Sequence, residues 1–223
     1  MSNKVDLIYE DKDVLVCHKP AGVATQTRKI GQKDVESLLR SYLAKKKEGN
    51  YVAVVHRLDQ PVEGLLVLAK NAKAAAALSE QMREHRIGKY YMAIGLKQEE
   101  SALTHSGQLV DYMISDPKNN IAQICSHDDP SAKKAILDYE VVKQVGKKVL
   151  FKIELHTGRH HQIRVQFANM GCPLWGDVKY GGEECKTPNH HVALCAYRLQ
   201  FEHPTTKKMM DFKIRPSGPL FKF

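Results

Sequence analysis

Short apolar runs bounded by acidic, Pro and Gly turns recur along this chain, with a few stretches of helical spacing between them. Val14-Leu15-Val16-Cys17-His18 follows the turn Glu10-Asp11-Lys12-Asp13 and predicts a strand. It stops at Lys19-Pro20-Ala21-Gly22, where Pro removes a backbone donor and Gly permits a turn. Val35, Leu38, Leu39, Tyr42 and Leu43 recur at helical spacing and run into Lys45-Lys46-Lys47. Those lysines suit the C-terminal end of a helix dipole as well as they suit a polyanion.

Gly64 to Lys70 is an unbroken apolar run, the mark of a strand buried on both faces. Asn71 can cap a following helix through Ala74, Ala75, Leu78 and Met82. Lys89 to Ile94 predicts another strand. From Ser101 to Ser131 the chain is polar, with turns at Asp116-Pro117 and Asp129-Pro130. Ile136–Val145 and Val149–His156, separated by Gly146-Lys147-Lys148, predict a hairpin. Gln162 to Met170 has helical spacing, with Gly171 placed to end the helix and Pro173 just beyond. Val192–Phe201 and Met209–Ile214 add two strands. Many strands, few helices, no repeat and no regular βα alternation give an α+β fold around a largely antiparallel sheet. No Pro-, Gly- or Ser-rich linker breaks the chain, so residues 1–223 are expected to form one domain.

Composition narrows the partner. The chain has 223 residues and 43% hydrophobic content, enough for a substantial core. Lys plus Arg is 34 against 25 acidic residues, a net charge of +9. A basic surface favours a polyanion, because neutralising phosphates releases counterions. Cys17, Cys125, Cys172, Cys185 and Cys195 are odd in number and form no CxxC pair. With no secretion signal in the polar start Met1–Asp6, that pattern predicts reduced thiols in a cytoplasmic protein. No apolar run nears the roughly 18 residues that span a bilayer.

Candidate chemistry gathers in two segments. Val55-His56-Arg57-Leu58-Asp59 sets one carboxylate among cationic side chains at the mouth of the Gly64 strand. A carboxylate can act as a nucleophile without a base to deprotonate it, provided cations or hydrogen bonds keep it ionised. A structural Asp–Arg pair at a strand entry explains Asp59 and Arg57 equally well. Leu155 to Arg164 supplies Arg159, His161, Gln162 and Arg164 near a helix start that favours anions. Arg164 there could grip Asp59 or a phosphate, and Gly158 would let a ligand approach the backbone. Tyr91 could stack on a base or exchange a proton, although β-favouring packing accounts for an isolated Tyr as well. The adjacent pairs His160-His161 and His190-His191 lack zinc-site spacing, so no metal site is assigned. No phosphate loop or dinucleotide fingerprint is visible.

Taken together, the segments resemble a known family. His56-Arg57-Leu58-Asp59 with Gly64-Leu65-Leu66 is similar to the HRLD-x-x-T-S-G-L-L signature of the RluA family of RNA pseudouridine synthases. Thr157-Gly158-Arg159-x-His161-Gln162-Ile163-Arg164, then Gly171-x-Pro173-Leu174-x-Gly176-Asp177, resembles its second signature. Lys19-Pro20-x-Gly22 and Lys89-x-Tyr91-x-Ala93 match two weaker motifs, in the expected order.

The resemblance implies isomerisation of uridine in ribosomal or transfer RNA to pseudouridine, redox-neutral and without a cofactor. It carries Asp59 over as nucleophile, Tyr91 as the residue that stacks on the base and moves the sugar C2′ proton, and Arg164 as the partner of Asp59. Lys19, His56, Arg57, Arg159, His161, Gln162 and Ile163 fall in the same motifs and are expected at the substrate. The target must leave its stack to reach the acid. Val62 and Glu63 stand where the family commonly has Thr and Ser, which predicts altered loop support or RNA contact rather than lost chemistry.

Relatives often carry a separate N-terminal RNA-binding domain. Here the signatures start almost at once, so RNA selection is expected to rest on the catalytic domain, working as a monomer. Two other readings compete: a catalytically silent RNA-binding protein on the same fold, and a small-molecule hydrolase with Glu63 as the second carboxylate.

Overall fold

The computed structural model describes residues 5–27, 31–182, 185–187 and 191–221. Met1–Lys4, part of the polar start, and His190 lie outside them. In chain order the elements are β1 (Asp6–Glu10), β2 (Val14–Lys19), α1 (Val35–Lys45), β3 (Ala53–Val54), β4 (Glu63–Ala69), α2 (Ala72–Arg83), β5 (Gly88–Leu96), β6 (Ser106–Asp116), β7 (Ile121–Cys125), β8 (Lys133–Val145), β9 (Lys148–Leu155), α3 (Gln162–Asn169), α4 (Val178–Gly181), β10 (Leu194–Glu202) and β11 (Met209–Lys213). The chain divides into two compact units. One comprises Met1–Gly88 with Ala196–Pro216, the other Lys89–Cys195 with Ser217–Phe223.

The first unit orders its strands β1-β2-β4-β10, with β11 on β10 and β3 on β4. Every residue of β4 is buried, as its unbroken apolar run predicts. Its antiparallel register on β2 runs from Val14 opposite Ala69 to Lys19 opposite Gly64. Alternation sends Val14, Val16, Leu65, Val67 and Ala69 into one core with Ala74 and Leu78 of α2. Asn71 caps that helix, its side chain accepting from the Ala74 N–H. Asp34 caps α1 in a reciprocal box with Ser37. Lys46, in the basic run after α1, is paired with Glu10 and Glu48. Asp11 and His203 close the far end of this unit. His203 Nε2 lies 2.8 Å from Asp11, while its Nδ1 accepts from the Thr205 and Thr206 N–H groups.

The second unit orders its strands β5-β9-β8-β6-β7, all antiparallel. Phe151 and Phe167 meet edge-on at 4.9 Å between ring centres, with Tyr139 edge-on to both. The expected β8–β9 hairpin turns at Gly146. Gly171 closes α3 with a left-handed φ of 76°. There the Cys172 N–H bonds the Phe167 carbonyl and the Gly171 N–H bonds that of Ala168.

The polar middle section differs from expectation, since it carries the β6–β7 hairpin. Residues of β6 alternate between exposed and half-buried, so its apolar side is too weak to stand out in the sequence. Among the described residues no helix is long and apolar enough to cross a membrane.

Candidate active site

The predicted residues form two groups, one in each unit. In the first, residues 55–62 connect β3 to β4, and Asp59 stands half-buried on a turn closed by the Val62 N–H bonding the Asp59 carbonyl at 3.1 Å. Residues 19–25 grip this connection from below. Thr25 Oγ1 donates to the Leu58 carbonyl at 3.0 Å and accepts from the Leu58 N–H at 3.2 Å. The Gly22 N–H bonds the Gln60 carbonyl, and the Gln60 side chain returns a bond to the Gly22 carbonyl. The backbone on both sides of Asp59 is therefore fixed.

Lys19 departs from its expected place at the substrate. It is fully buried, and its ammonium donates to the carbonyls of Pro20, Val23 and Gln60. Three N–H donors meet three acceptors, so the side chain is a strut beneath the Asp59 turn. Burial pushes its pKa down to about 7, against the opposing pull of Asp59, Cys17 and Glu63.

His56 also has a structural task. β3 pairs with β4 only at Ala69 and Leu68, and the His56 Nε2 then accepts the next N–H, that of Val67, at 3.1 Å. Arg57 is exposed, while its neighbour Leu58 is buried, as extended backbone requires. Gly64 is required by close approach at the strand entry: a Cβ there would stand 2.5 Å from the backbone nitrogen of Ala196. Val62 and Glu63 are both buried, and Glu63 lies 3.6 Å from the ring of His18.

In the second unit, β5 turns Lys89, Tyr91 and Ala93 to its buried face and leaves Tyr90 and Met92 partly exposed. Gln162 and Ile163 both lie in the interior, each 4% exposed or less. The Gln162 carboxamide accepts from the Thr157 hydroxyl and the Arg159 N–H, and donates to the Ile136 carbonyl and Gln166. It spends its polar atoms on shaping the loop before α3, and Ile163 packs in the core.

His161 is buried with a left-handed φ of 54°, its Nδ1 2.6 Å from the Tyr180 hydroxyl. Arg159 is half-buried, with its Nε donating to the Lys134 carbonyl. Arg164 is buried in a two-pronged pair with Asp177, Nε to Oδ2 at 2.6 Å and Nη2 to Oδ1 at 2.8 Å. The Tyr180 ring lies 5.2 Å from its guanidinium. Thr25, Lys89, Asp177 and Tyr180 thus shape the site without having been singled out. The signal for Asp177 lay in its motif, since a buried Arg needs a carboxylate, whereas Thr25 lies outside the quoted motifs.

Residues 13–169 match the family model described as RNA pseudouridylate synthase. The chain belongs to that family. Its reaction is the isomerisation of uridine in RNA to pseudouridine, in agreement with the motif resemblance. The synthase is 34% identical over 218 residues to an uncharacterized RNA pseudouridine synthase of Mycoplasma genitalium, covering 98% of this chain and 68% of that protein. It is 35% identical over 195 residues to the ribosomal large subunit pseudouridine synthase C of Rickettsia bellii, covering 86% and 62%. The synthase D of Zymomonas mobilis is 32% identical over 223 residues, covering 93% and 68%. The fold is shared with human RNA Pseudouridylate Synthase Domain Containing 4, at a TM-score of 0.76 and 21% identity over 95% of this chain and 89% of that one.

Proposed function

We propose that this synthase modifies uridine in large-subunit ribosomal RNA, with Asp59 as its nucleophile. The anchored Asp59 turn carries the reading: a half-buried carboxylate whose flanking backbone is fixed by Thr25, Gly22 and Lys19. Such a turn holds one oxygen against a reacting carbon without reorganising. In this reading Asp59 attacks C1′ of a uridine drawn out of its stack, and the C1′–N1 bond breaks. The released uracil turns, Tyr91 takes the C2′ proton as the Asp59–C1′ bond breaks and frees the carboxylate, and C5 then bonds to C1′ as that proton returns. A proton passes from C5 to N1, so product and substrate are isomers.

Tyr91 stacks on the base and handles the C2′ proton, which returns before product leaves. Arg164, held by Asp177, supplies a cation to the reaction in this reading. Arg57, exposed beside the turn, meets the substrate strand. The relatives named for ribosomal large-subunit modification support the choice of RNA, and the net charge of +9 suits it. The protein acts in this reading as a monomer in the cytoplasm.

Pseudouridine mapping of total RNA, with the protein present and deleted, tests the assignment. Loss of pseudouridine at discrete large-subunit positions on deletion is expected. Identical maps would favour the catalytically silent RNA-binding reading.

A further inference from the structure

Lys89 is 7% exposed, yet among the described residues its ammonium has neither a hydrogen bond nor an ion pair to the protein. Its charged neighbour is another cation. Burial, and after it the positive charge of Arg159, pushes the Lys89 pKa down to about 8. Arg159 is fixed at both ends of its stem, by its backbone N–H on Gln162 and its Nε on the Lys134 carbonyl. Its two Nη groups have no acceptor among the described residues. Gly158 opens this place to solvent: it is exposed, and a side chain there would begin 3.6 Å from the Lys89 ammonium. Two cations brought together against their repulsion, one of them almost sealed from water, are incomplete without an anion.

We propose that Lys89 and Arg159 bind a backbone phosphate of the RNA, next to the uridine that Tyr91 receives two residues along the same face of β5. The identity of the strand rests on the function proposed above, while the anion site rests on the two cations and the glycine opening. A buried ammonium and a guanidinium converging on one phosphate supply charge-assisted hydrogen bonds from two directions. The pair would thereby register the strand rather than read its sequence.

The test follows the Lys89 ammonium by NMR in lysine-labelled protein, its signal identified by its loss in Lys89→Met. Uridine 5′-monophosphate, at constant ionic strength, should raise the Lys89 titration midpoint by about one unit or more, the effect of a nearby opposite charge. Uridine should leave it in place. Arg159→Met should raise the midpoint of the free protein and weaken the response to the monophosphate. Equal midpoints with monophosphate and uridine, or an undiminished response in Arg159→Met, would overturn the pair.

Binding of single-stranded oligouridylate separates RNA phosphate from free phosphate. Lys89→Met should reduce the salt slope by about one, the effect of losing one phosphate contact. An unchanged slope would overturn the RNA assignment. None of these readouts requires turnover, and Asp59→Asn should preserve them. Activity surviving in Asp59→Asn would therefore count against the proposed function and leave the phosphate site standing.

Discussion

The ammonium of Lys19 donates to the backbone carbonyl of Gln60 at 3.2 Å, one residue beyond Asp59, and the same ammonium holds the Pro20 and Val23 carbonyls. A motif lysine that would be assigned to RNA from sequence thus ties the turn after β2 to the turn that carries Asp59. Lys19→Met leaves those carbonyls without their donor, and a loss of about 2–4 kcal/mol is expected. Urea unfolding measures it. A variant as stable as wild type would show that the strut is dispensable.

The same residue gives a pH dependence with a defined sign. Its pKa is about 7 in the folded protein against an ordinary value of 10.5. Between those values the unfolded chain binds more protons, so this group's contribution to stability rises with pH. It is least favourable below about 7 and fully gained above about 10.5. Wild type should therefore gain on Lys19→Met as pH rises from 7 to 10, by at most about 1.4 kcal/mol per unit. Parallel stability curves for the two proteins would refute the shift.

His56 extends the β3–β4 ladder with a side chain. His56→Ala strips the Val67 N–H of its acceptor and should cost about 1–2 kcal/mol, with faster hydrogen exchange at that amide. His56→Gln offers a carboxamide oxygen and should recover part of both. Unchanged exchange at Val67 in the Ala variant would remove this role.

Asp177 orients Arg164. Asp177→Ala abandons a buried guanidinium and should destabilise by about 3–5 kcal/mol. Asp177→Asn keeps one acceptor and should fold, but turnover should fall at least about tenfold, some 1.4 kcal/mol in the barrier. Wild-type rates in Asp177→Asn would show that the pair does not position the guanidinium for chemistry.

Much of this was legible in advance, for reasons that differ along the chain. β4 announced itself because burial on both faces leaves only apolar residues from Gly64 to Ala69. Asn71 and Gly171 announced helix ends because few residues can do what those termini require. β6 escaped notice because its exposed, alternating surface reads as a polar segment. Lys19 and Gln162 were legible as motif members but not in role, since a buried polar side chain and a ligand-binding one look alike until their partners are seen. Glu63 lies inside the protein beside His18, a burial that the Val62-Glu63 departure from the motif did not announce.

That departure is testable. The double variant Val62→Thr, Glu63→Ser removes a buried carboxylate and buries two hydroxyls, and should lose about 1–3 kcal/mol of stability. The salt slope of RNA binding should not move, because neither side chain reaches the surface. A changed slope at unchanged stability would reverse the interpretation.

Pseudouridine formation by purified Asp59→Asn on unmodified ribosomal RNA transcripts bears most directly on the central claim, because Asn keeps the shape of the side chain and removes the nucleophile. Pseudouridine should fall to background while the variant binds RNA and unfolds as wild type does. Modification continuing near the wild-type rate would contradict catalysis by Asp59.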